Sequence, residues 1–209
     1  MSVSTLFTLA FNVVCLALLS ACVSHQQVAI KTTTVCGKQV MIGETVCFEL
    51  LNTPDELVGQ SNANVLEIRY HSTDKGSGLA TTEQKTLIVQ SQYQPNKIDL
   101  VAITPAGIPL FELLYSNKQP IKVTSYIKVD GLSPAYVLAD MQLTHWPLAA
   151  LNQGITGAIL SESHTESEVV RELVSAAKKT IIRISYFKDK IVFAHLERNY
   201  QLTITPVTS

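Results

Sequence analysis

Cysteine is the residue type in this sequence with the widest range of chemistry, and the chain has four. A cysteine thiolate can accept an acyl group, join a disulfide or bind a metal ion. Cys36 and Cys47 have ten residues between them, including Gly37 and Gly43, which allow a turn. In an oxidising compartment they would form a disulfide worth roughly 2–3 kcal/mol; the alternative is two free, buried thiols. No histidine or other cysteine stands at ligand spacing from them, so we expect no metal site and no cofactor.

The other two cysteines lie near the N-terminus, where the chain carries no charge. Residues 1–21 contain no Lys, Arg, Asp or Glu, and residues 6–19 are apolar apart from Thr8 and Asn12. This run is shorter than the ~20 residues that a membrane-spanning helix needs. It has the length of the apolar centre of a signal peptide. We therefore predict that residues 1–21 are a signal peptide, which removes Cys15 from the mature chain.

The apolar run ends in Leu19-Ser20-Ala21-Cys22, which resembles the lipobox of bacterial lipoproteins. The resemblance implies cleavage between Ala21 and Cys22 and a lipid on the Cys22 sulfur, because the thiolate is the acyl-accepting nucleophile. Each buried CH₂ of the lipid contributes about 0.8 kcal/mol to the membrane anchor. In lipoproteins of this kind Asp after the cysteine directs retention in the inner membrane. Val23 therefore predicts the periplasmic face of the outer membrane of a Gram-negative-type bacterium.

No catalytic constellation is found, so we expect a protein that is not an enzyme. The nucleophile-elbow, P-loop, dinucleotide-binding and His-Glu-x-x-His motifs do not occur. His71 and His195 fall in predicted strands, where a hydrogen-bonded structural role is expected. His145 precedes the single Trp at a helix boundary, which favours a packed turn over a ligand contact. Asp140 is interpreted as a capping or surface residue rather than a buried acid.

Composition excludes several other classes of protein. The chain has 16 basic and 17 acidic residues, so neither nucleic acid nor anionic lipid is favoured as an electrostatic partner. Hydrophobic residues make up 46%, enough for a folded core. Residues 22–35 are polar and threonine-rich, which predicts a tether. Residues 36–209 then form one domain.

Strand signals recur along this domain. They predict strands over residues 64–72, 84–93, 97–104, 108–116, 121–129, 181–187, 191–197 and 200–206. The connections between most consecutive strands are short, which favours antiparallel neighbours, because parallel pairs need long crossovers.

Two segments instead favour helices. Residues 134–151 lack alternation, and Pro147 can start a second short helix there. Residues 165–179 predict the clearest helix, with a capping box formed by Thr165 and Glu168. Its apolar stripe consists of Val169, Leu173 and Ala177.

Together these elements predict a mainly β (α+β) fold: an incomplete antiparallel β-barrel with a helical lid, the helices standing before the last three strands. Such a fold can enclose an apolar cavity. Aromatic residues on successive strands, Tyr93 and Phe187 among them, would either line that cavity or fill it as ordinary core. The residues that we predict to line it are Phe111, Tyr115, Tyr126, Leu138, Trp146, Tyr186 and Phe193.

From residue 85 to residue 206 the order of features resembles LolB, the outer-membrane lipoprotein receptor. It resembles more closely an uncharacterised family of LolB-like lipoproteins whose members tend to be encoded near fatty-acid-synthase-like or aryl-polyene clusters. The segments that carry the resemblance are 87–93, 98–107, 111–113, 146–154, 182–193 and 200–204. The resemblance implies an unclosed antiparallel barrel, a helical lid and an apolar cavity that accepts acyl chains.

One functional turn of LolB can be placed by position. LolB has an exposed Leu between the Pro and the Gly of a turn, and that Leu promotes transfer of cargo into the membrane. The turn here is Pro105-Ala106-Gly107, so Ala106 stands at the Leu position. A methyl group buries less apolar surface than isobutyl, by roughly 2 kcal/mol. Ile108 can substitute if the turn exposes it.

The function expected from the resemblance is a carrier or receptor that binds a lipid-like molecule: an acyl, glycolipid or polyene product, or a lipoprotein. Its partners would be the membrane, through the lipid anchor, and the apolar ligand. The alternative is a structural or assembly lipoprotein that binds a partner protein and holds no ligand. A lipid-directed enzyme would need a nucleophile and base inside the cavity, and the sequence identifies no such pair.

Overall fold

The computed structural model describes residue 36 and residues 39–73, 80–117, 119–127 and 133–207. The predicted signal peptide and the whole of the predicted tether, which begins at Cys22, lie outside the described residues, because residues 1–35 are not among them. Residues 34–209 form one compact unit. None of the helices in the described ranges has the length and apolar character needed to cross a membrane.

The described part of the chain is mostly β-strand, with two α-helices between the strands. The strands are β1 (Val40–Gly43), β2 (Val46–Phe48), β3 (Ser61–Thr73), β4 (Ala80–Gln94), β5 (Lys97–Ile103), β6 (Pro109–Ser116), β7 (Lys122–Ser125), β8 (Ile155–Thr156), β9 (Ala158–His164), β10 (Val169–Ser175), β11 (Thr180–Tyr186), β12 (Ile191–His195) and β13 (Tyr200–Pro206). The helices are α1 (Pro134–His145) and α2 (Leu148–Gly154), and a short 3₁₀ helix spans Asp55–Leu57.

Ten of the described strands form one antiparallel sheet. Its order is β7-β6-β5-β4-β3-β13-β12-β11-β10-β9, so the last strand of the chain lies beside β3. The order begins at β7 and ends at β9, and the sheet is not closed. The predicted fold class, an incomplete antiparallel barrel with short helices, is confirmed.

Alternating side chains explain which face of the sheet the helices cover. In β5, Ile98, Leu100 and Ala102 are buried while their neighbours are half-buried. Successive residues of a strand point to opposite faces, so this pattern places the core on one face.

Five strands of the sheet precede the helices and five follow them. The prediction that the helices stand before only the last three strands was therefore wrong.

The predicted helix over residues 165–179 was also wrong, because this segment forms a turn and strand β10. Val169 and Leu173 are four residues apart, a spacing that places them on one face of a helix and also on one face of a strand. The Thr165 hydroxyl accepts from the Glu168 amide at 3.1 Å, which closes the β9–β10 turn rather than capping a helix. Pairing with β9 and β11 satisfies the backbone of a segment whose Val residues favour strands.

A small sheet of β1, β2 and β8 lies beside the helices. Cys36 and Cys47 form a disulfide with 5.5 Å between their Cα atoms, which joins β2 to the start of the compact unit. Of the two alternatives left open by the sequence, the structure therefore contains the bridge. Helix α1 is buried on several sides, and its Gln142 donates to the Leu51 carbonyl at 2.9 Å and accepts from the Leu51 amide at 2.8 Å.

Candidate ligand-binding cavity

A cavity of about 280 Å³ lies between helix α1 and the face of the large sheet that it covers. This volume is just below the range of roughly 300–1,000 Å³ found for small-molecule sites. Most of the lining side chains are apolar. Those of the sheet include Leu66, Ile68, Leu87, Val89, Leu100, Phe111, Leu202 and Ile204.

The strand register places these apolar side chains together. Leu66 is paired with Leu87 on one side and with Ile204 on the other. Ile68 is paired with Leu202. Residues directly opposite each other in antiparallel strands have their side chains on the same face. The period of two along β3, β4 and β13 therefore builds a continuous apolar wall.

Helix α1 supplies the opposite wall through one of its faces. The residues on it are Tyr136 and Val137, then Asp140 and Met141 one turn later, then Thr144. A spacing of four residues aligns side chains along one side of a helix. His145 completes this face, which is apolar except for Asp140, Thr144 and His145. Burial, with the Arg171 charge, lowers the pKa of His145 to about 4, so the surroundings of Asp140 determine the charge on this wall of the cavity.

Asp140 is a buried acid at one end of the cavity. Its side chain is 8% exposed, and its Oδ2 accepts a hydrogen bond from the Tyr200 hydroxyl at 2.5 Å. Its Oδ1 is buried and has no hydrogen-bond partner among the described residues. Burial raises the pKa of Asp140 to about 7, although the Tyr200 hydrogen bond and the Arg198 charge both favour ionisation.

Arg198 lies beside this carboxyl and also lines the cavity. Its guanidinium carbon is 3.5 Å from the centre of the Tyr136 ring, a cation–π contact. Its Nη2 donates to the Met41 carbonyl of β1. Its Nη1 is buried and, within the described ranges, has no hydrogen-bond partner. At this end of the cavity, the acidic residue Asp140 and the basic residue Arg198 thus each have one unpaired polar atom.

Aromatic rings hold Tyr200 in place. The Phe193 ring stacks on it with centroids 6.1 Å apart, and the Tyr70 ring tilts against it at 6.3 Å. The His195 ring lies 5.3 Å away, and burial together with the Arg198 charge lowers the pKa of His195 to about 4. His195 is therefore neutral at physiological pH. At the far end of β4, Ser91 donates to the Tyr93 hydroxyl at 3.1 Å, and both residues line the cavity.

The C-terminal end of α1 is fastened to the sheet by Arg171. Its Nη1 donates to the carbonyls of Leu143, Thr144 and Trp146 at 3.3, 3.4 and 2.9 Å. Its Nε forms an ion pair with Glu162 at 2.6 Å. The last carbonyls of a helix have no intrahelical partner, so Arg171 supplies the missing donors.

Only one of the seven predicted lining residues faces the cavity, and that residue is Phe111. Leu138, Trp146 and Phe193 are completely buried in the packed core, and Tyr115 donates from a buried site to the Leu50 carbonyl. Tyr186 donates to the Thr144 carbonyl at 2.7 Å. Tyr126 is 50% exposed and donates to Glu112. For these six residues the prediction of cavity lining was wrong, because each side chain has a partner elsewhere.

The predicted turn lies at the tip of the β5–β6 hairpin, away from the cavity lining. Pro105, Ala106 and Gly107 are exposed, and the Ile108 side chain is 52% exposed. The Thr104 hydroxyl accepts from the Ile108 amide at 3.1 Å, and Gly107 has a φ of +81° that favours glycine. The turn therefore exposes Ile108, the alternative apolar residue to Ala106.

Sequence reasoning missed the polar end of the cavity. Asp140 was interpreted as a cap or surface residue and is buried, because the helix that carries it is covered on several sides. Tyr200 was recognised only as part of a half-buried strand. No local signal identifies Arg198, which lies in the turn between β12 and β13.

An open antiparallel sheet, a helix across its face and an apolar cavity between them define the class of this protein. Within the described ranges, no three His, Cys, Asp or Glu side chains are grouped to hold a metal ion. The chain belongs to the family described as "Protein of unknown function (DUF3261)", whose match covers residues 71–208. That range includes α1 and the strands from β4 to β13. No curated protein matches the chain.

Proposed function

We propose that the protein is a lipoprotein, anchored at the periplasmic face of the outer membrane, that binds or carries a lipid-like molecule. The observation that carries this proposal is the apolar cavity of about 280 Å³ between α1 and the sheet. Burial of an apolar chain in it would supply the affinity. Helix α1 would act as the lid.

Two features of the sequence support the anchor and the cargo. The lipobox Leu19-Ser20-Ala21-Cys22 follows an apolar run of signal-peptide length. The order of strands, turn and helices from residue 85 to residue 206 resembles LolB and its relatives. In this proposal the exposed Ile108 at the β5–β6 tip takes the part that an exposed Leu has in LolB, and it contacts the membrane during transfer.

Native mass spectrometry of residues 23–209, secreted in soluble form and purified without detergent, tests the cargo. This segment includes the whole compact unit. We expect a reproducible adduct of lipid mass. We expect Val89→Phe, which puts a ring into the cavity, to remove the adduct. Ile88→Phe on the opposite face of β4 is the matched control and should keep it.

Radiolabelled palmitate tests the anchor in cells. The full chain should take up the label, and Cys22→Ser should not. An unlabelled wild-type chain would contradict the lipoprotein assignment.

The second candidate is a structural lipoprotein that binds a partner protein. It is favoured by apolar side chains exposed near the sheet edge at β7: Ile108, Val123, Tyr126 and Ile127. A bare protein mass, with no uptake of added fatty acids or phospholipids, would favour this candidate over the carrier.

A further inference from the structure

Two residues that line the cavity each have a buried polar atom with no hydrogen-bond partner in the part of the chain that the structure describes. The atoms are Asp140 Oδ1 and Arg198 Nη1, on two residues that both line the same end of the cavity. Burial of a polar or charged atom without a hydrogen bond is costly. The two residues line the cavity, but these two atoms are themselves covered, the guanidinium by the Tyr136 ring, so a ligand reaches this acceptor and donor only when the covering side chain moves.

The charges around this end are already balanced. Above the Asp140 pKa of about 7, its carboxylate and the Arg198 guanidinium offset each other. Lys85, whose ammonium lies over the Tyr70 ring, pairs with Glu83 at 3.0 Å, and Glu197 pairs with Lys179 at 2.9 Å. A charged ligand would lack a counter-ion here, whereas an uncharged ligand would preserve the balance.

We infer that this end of the cavity binds the uncharged hydroxyl of an amphiphile, such as a long-chain alcohol or a glycerol ester of a fatty acid. The hydroxyl would donate to Asp140 Oδ1 and accept from Arg198 Nη1. This inference rests on the proposed function, since the cavity must take up an apolar chain.

The apolar wall begins next to the polar pair. Tyr200, Leu202 and Ile204 follow one another on one face of β13, a distance of about 13 Å at the usual rise per residue. The chain of the amphiphile would lie along this face. The Tyr136 ring, which covers the guanidinium, is 36% exposed, so rotation of this side chain would give the hydroxyl access to the pair.

The test uses the full chain in the membrane of the cells that express it. An uncharged alkyl diazirine labels the protein under light, and the labelled peptides are identified by mass spectrometry. Label that reaches the cavity should be lost from the cavity peptides in Val89→Phe and kept in Ile88→Phe. The amount of this label measures occupancy of the cavity. The competitors are 1-octanol, octanoate and octylammonium, applied above the pKa of Asp140.

We expect 1-octanol to displace the label at about tenfold lower concentration than either charged competitor, because a hydrogen bond to a charged group contributes at least a factor of this size. Asp140→Asn leaves Arg198 uncompensated and should move the preference to octanoate. Arg198→Met removes the donor to the hydroxyl, and without the Arg198 charge the Asp140 carboxyl takes up a proton, so 1-octanol should lose its advantage over both charged competitors. Persistence of the cavity label in each variant shows that the variant is folded, and Asp140→Asn is nearly isosteric.

Two results would overturn the inference in distinguishable ways. If the cavity is labelled but octanoate or octylammonium displaces the label as well as 1-octanol, or Asp140→Asn leaves the ranking unchanged, the hydroxyl site is wrong and the cavity proposal stands. If the wild type shows no labelling above that of Val89→Phe, both are wrong.

Discussion

Helix α1 is held in opposite ways at its C-terminal end and along the face that lines the cavity. At its C-terminal end Arg171 donates to three carbonyls, and the Trp146 indole donates to the Asn52 carbonyl at 2.8 Å. One face of the helix, which includes Tyr136 and Asp140, lines the cavity, and Asp140 Oδ1 in the middle of that face has no hydrogen-bond partner among the described residues. Unpaired buried groups reduce stability. The comparison indicates that the contacts at the C-terminal end maintain the fold and that the face with Tyr136 and Asp140 serves the ligand.

Replacement of the aromatic residue near each end of α1 by alanine should give the largest difference in the free energy of unfolding. Trp146 is completely buried and packs edge-on against Tyr93, so Trp146→Ala should lower the free energy of unfolding by about 4 kcal/mol. Tyr136→Ala should cost less than about 1 kcal/mol, because Tyr136 is 36% exposed. Urea denaturation measures both, and similar losses would refute the contrast.

Loss of Arg171 should have the next largest effect. Arg171→Met removes a mostly buried ion pair and the donors to three carbonyls, at a cost of roughly 3 kcal/mol. The control is Arg183→Met, which breaks the exposed pair with Glu172 and should cost under about 0.5 kcal/mol. If the two variants unfold at the same urea concentration, Arg171 does not fasten the helix.

The pH dependence of the free energy of unfolding should reveal the titration of Asp140. Its pKa rises from 3.8 in the unfolded chain to about 7 in the folded protein, so the folded state holds the proton more tightly. Its contribution to stability is therefore lost as the pH rises through about 7.

Asp140→Asn removes this loss. Relative to the wild type, the variant should gain at least about 1 kcal/mol between acidic and mildly alkaline pH, since one pKa unit corresponds to about 1.4 kcal/mol. Unfolding curves at several pH values measure the gap. A constant gap would show that Asp140 is not titrating from a buried site.

A substitution that enlarges a side chain facing the cavity should have the smallest effect on stability. Val89→Phe fills part of the cavity and should change the free energy of unfolding by less than about 1 kcal/mol. Ile184→Phe enters a completely buried position in the packed core and should cost roughly 1–3 kcal/mol. Equal costs for the two substitutions would mean that the cavity is not available to an added side chain.

Most strands of the sheet could be predicted from local pattern. Alternation and the turn residues predicted a strand over 97–104, where the structure has β5 at Lys97–Ile103, and residues 200–206 form β13 as predicted. Residues 165–179 were assigned wrongly because Val169 and Leu173 suit either period, and pairing with β9 and β11 decided the outcome. The cavity was expected from the resemblance to LolB, but six of the seven predicted lining residues face elsewhere.

By itself the sequence determined the strand alternation, the Cys36 and Cys47 spacing that permits a disulfide, and the antiparallel sheet, because these depend on neighbours along the chain. The tertiary structure alone decided which side of α1 faces the cavity. It also decided that Asp140, Arg198 and Tyr200 meet at one end of that cavity. Asp140 and Tyr200 are 60 residues apart. Their contact depends on how a helix crosses a ten-stranded sheet, and local periodicity contains no information about that crossing.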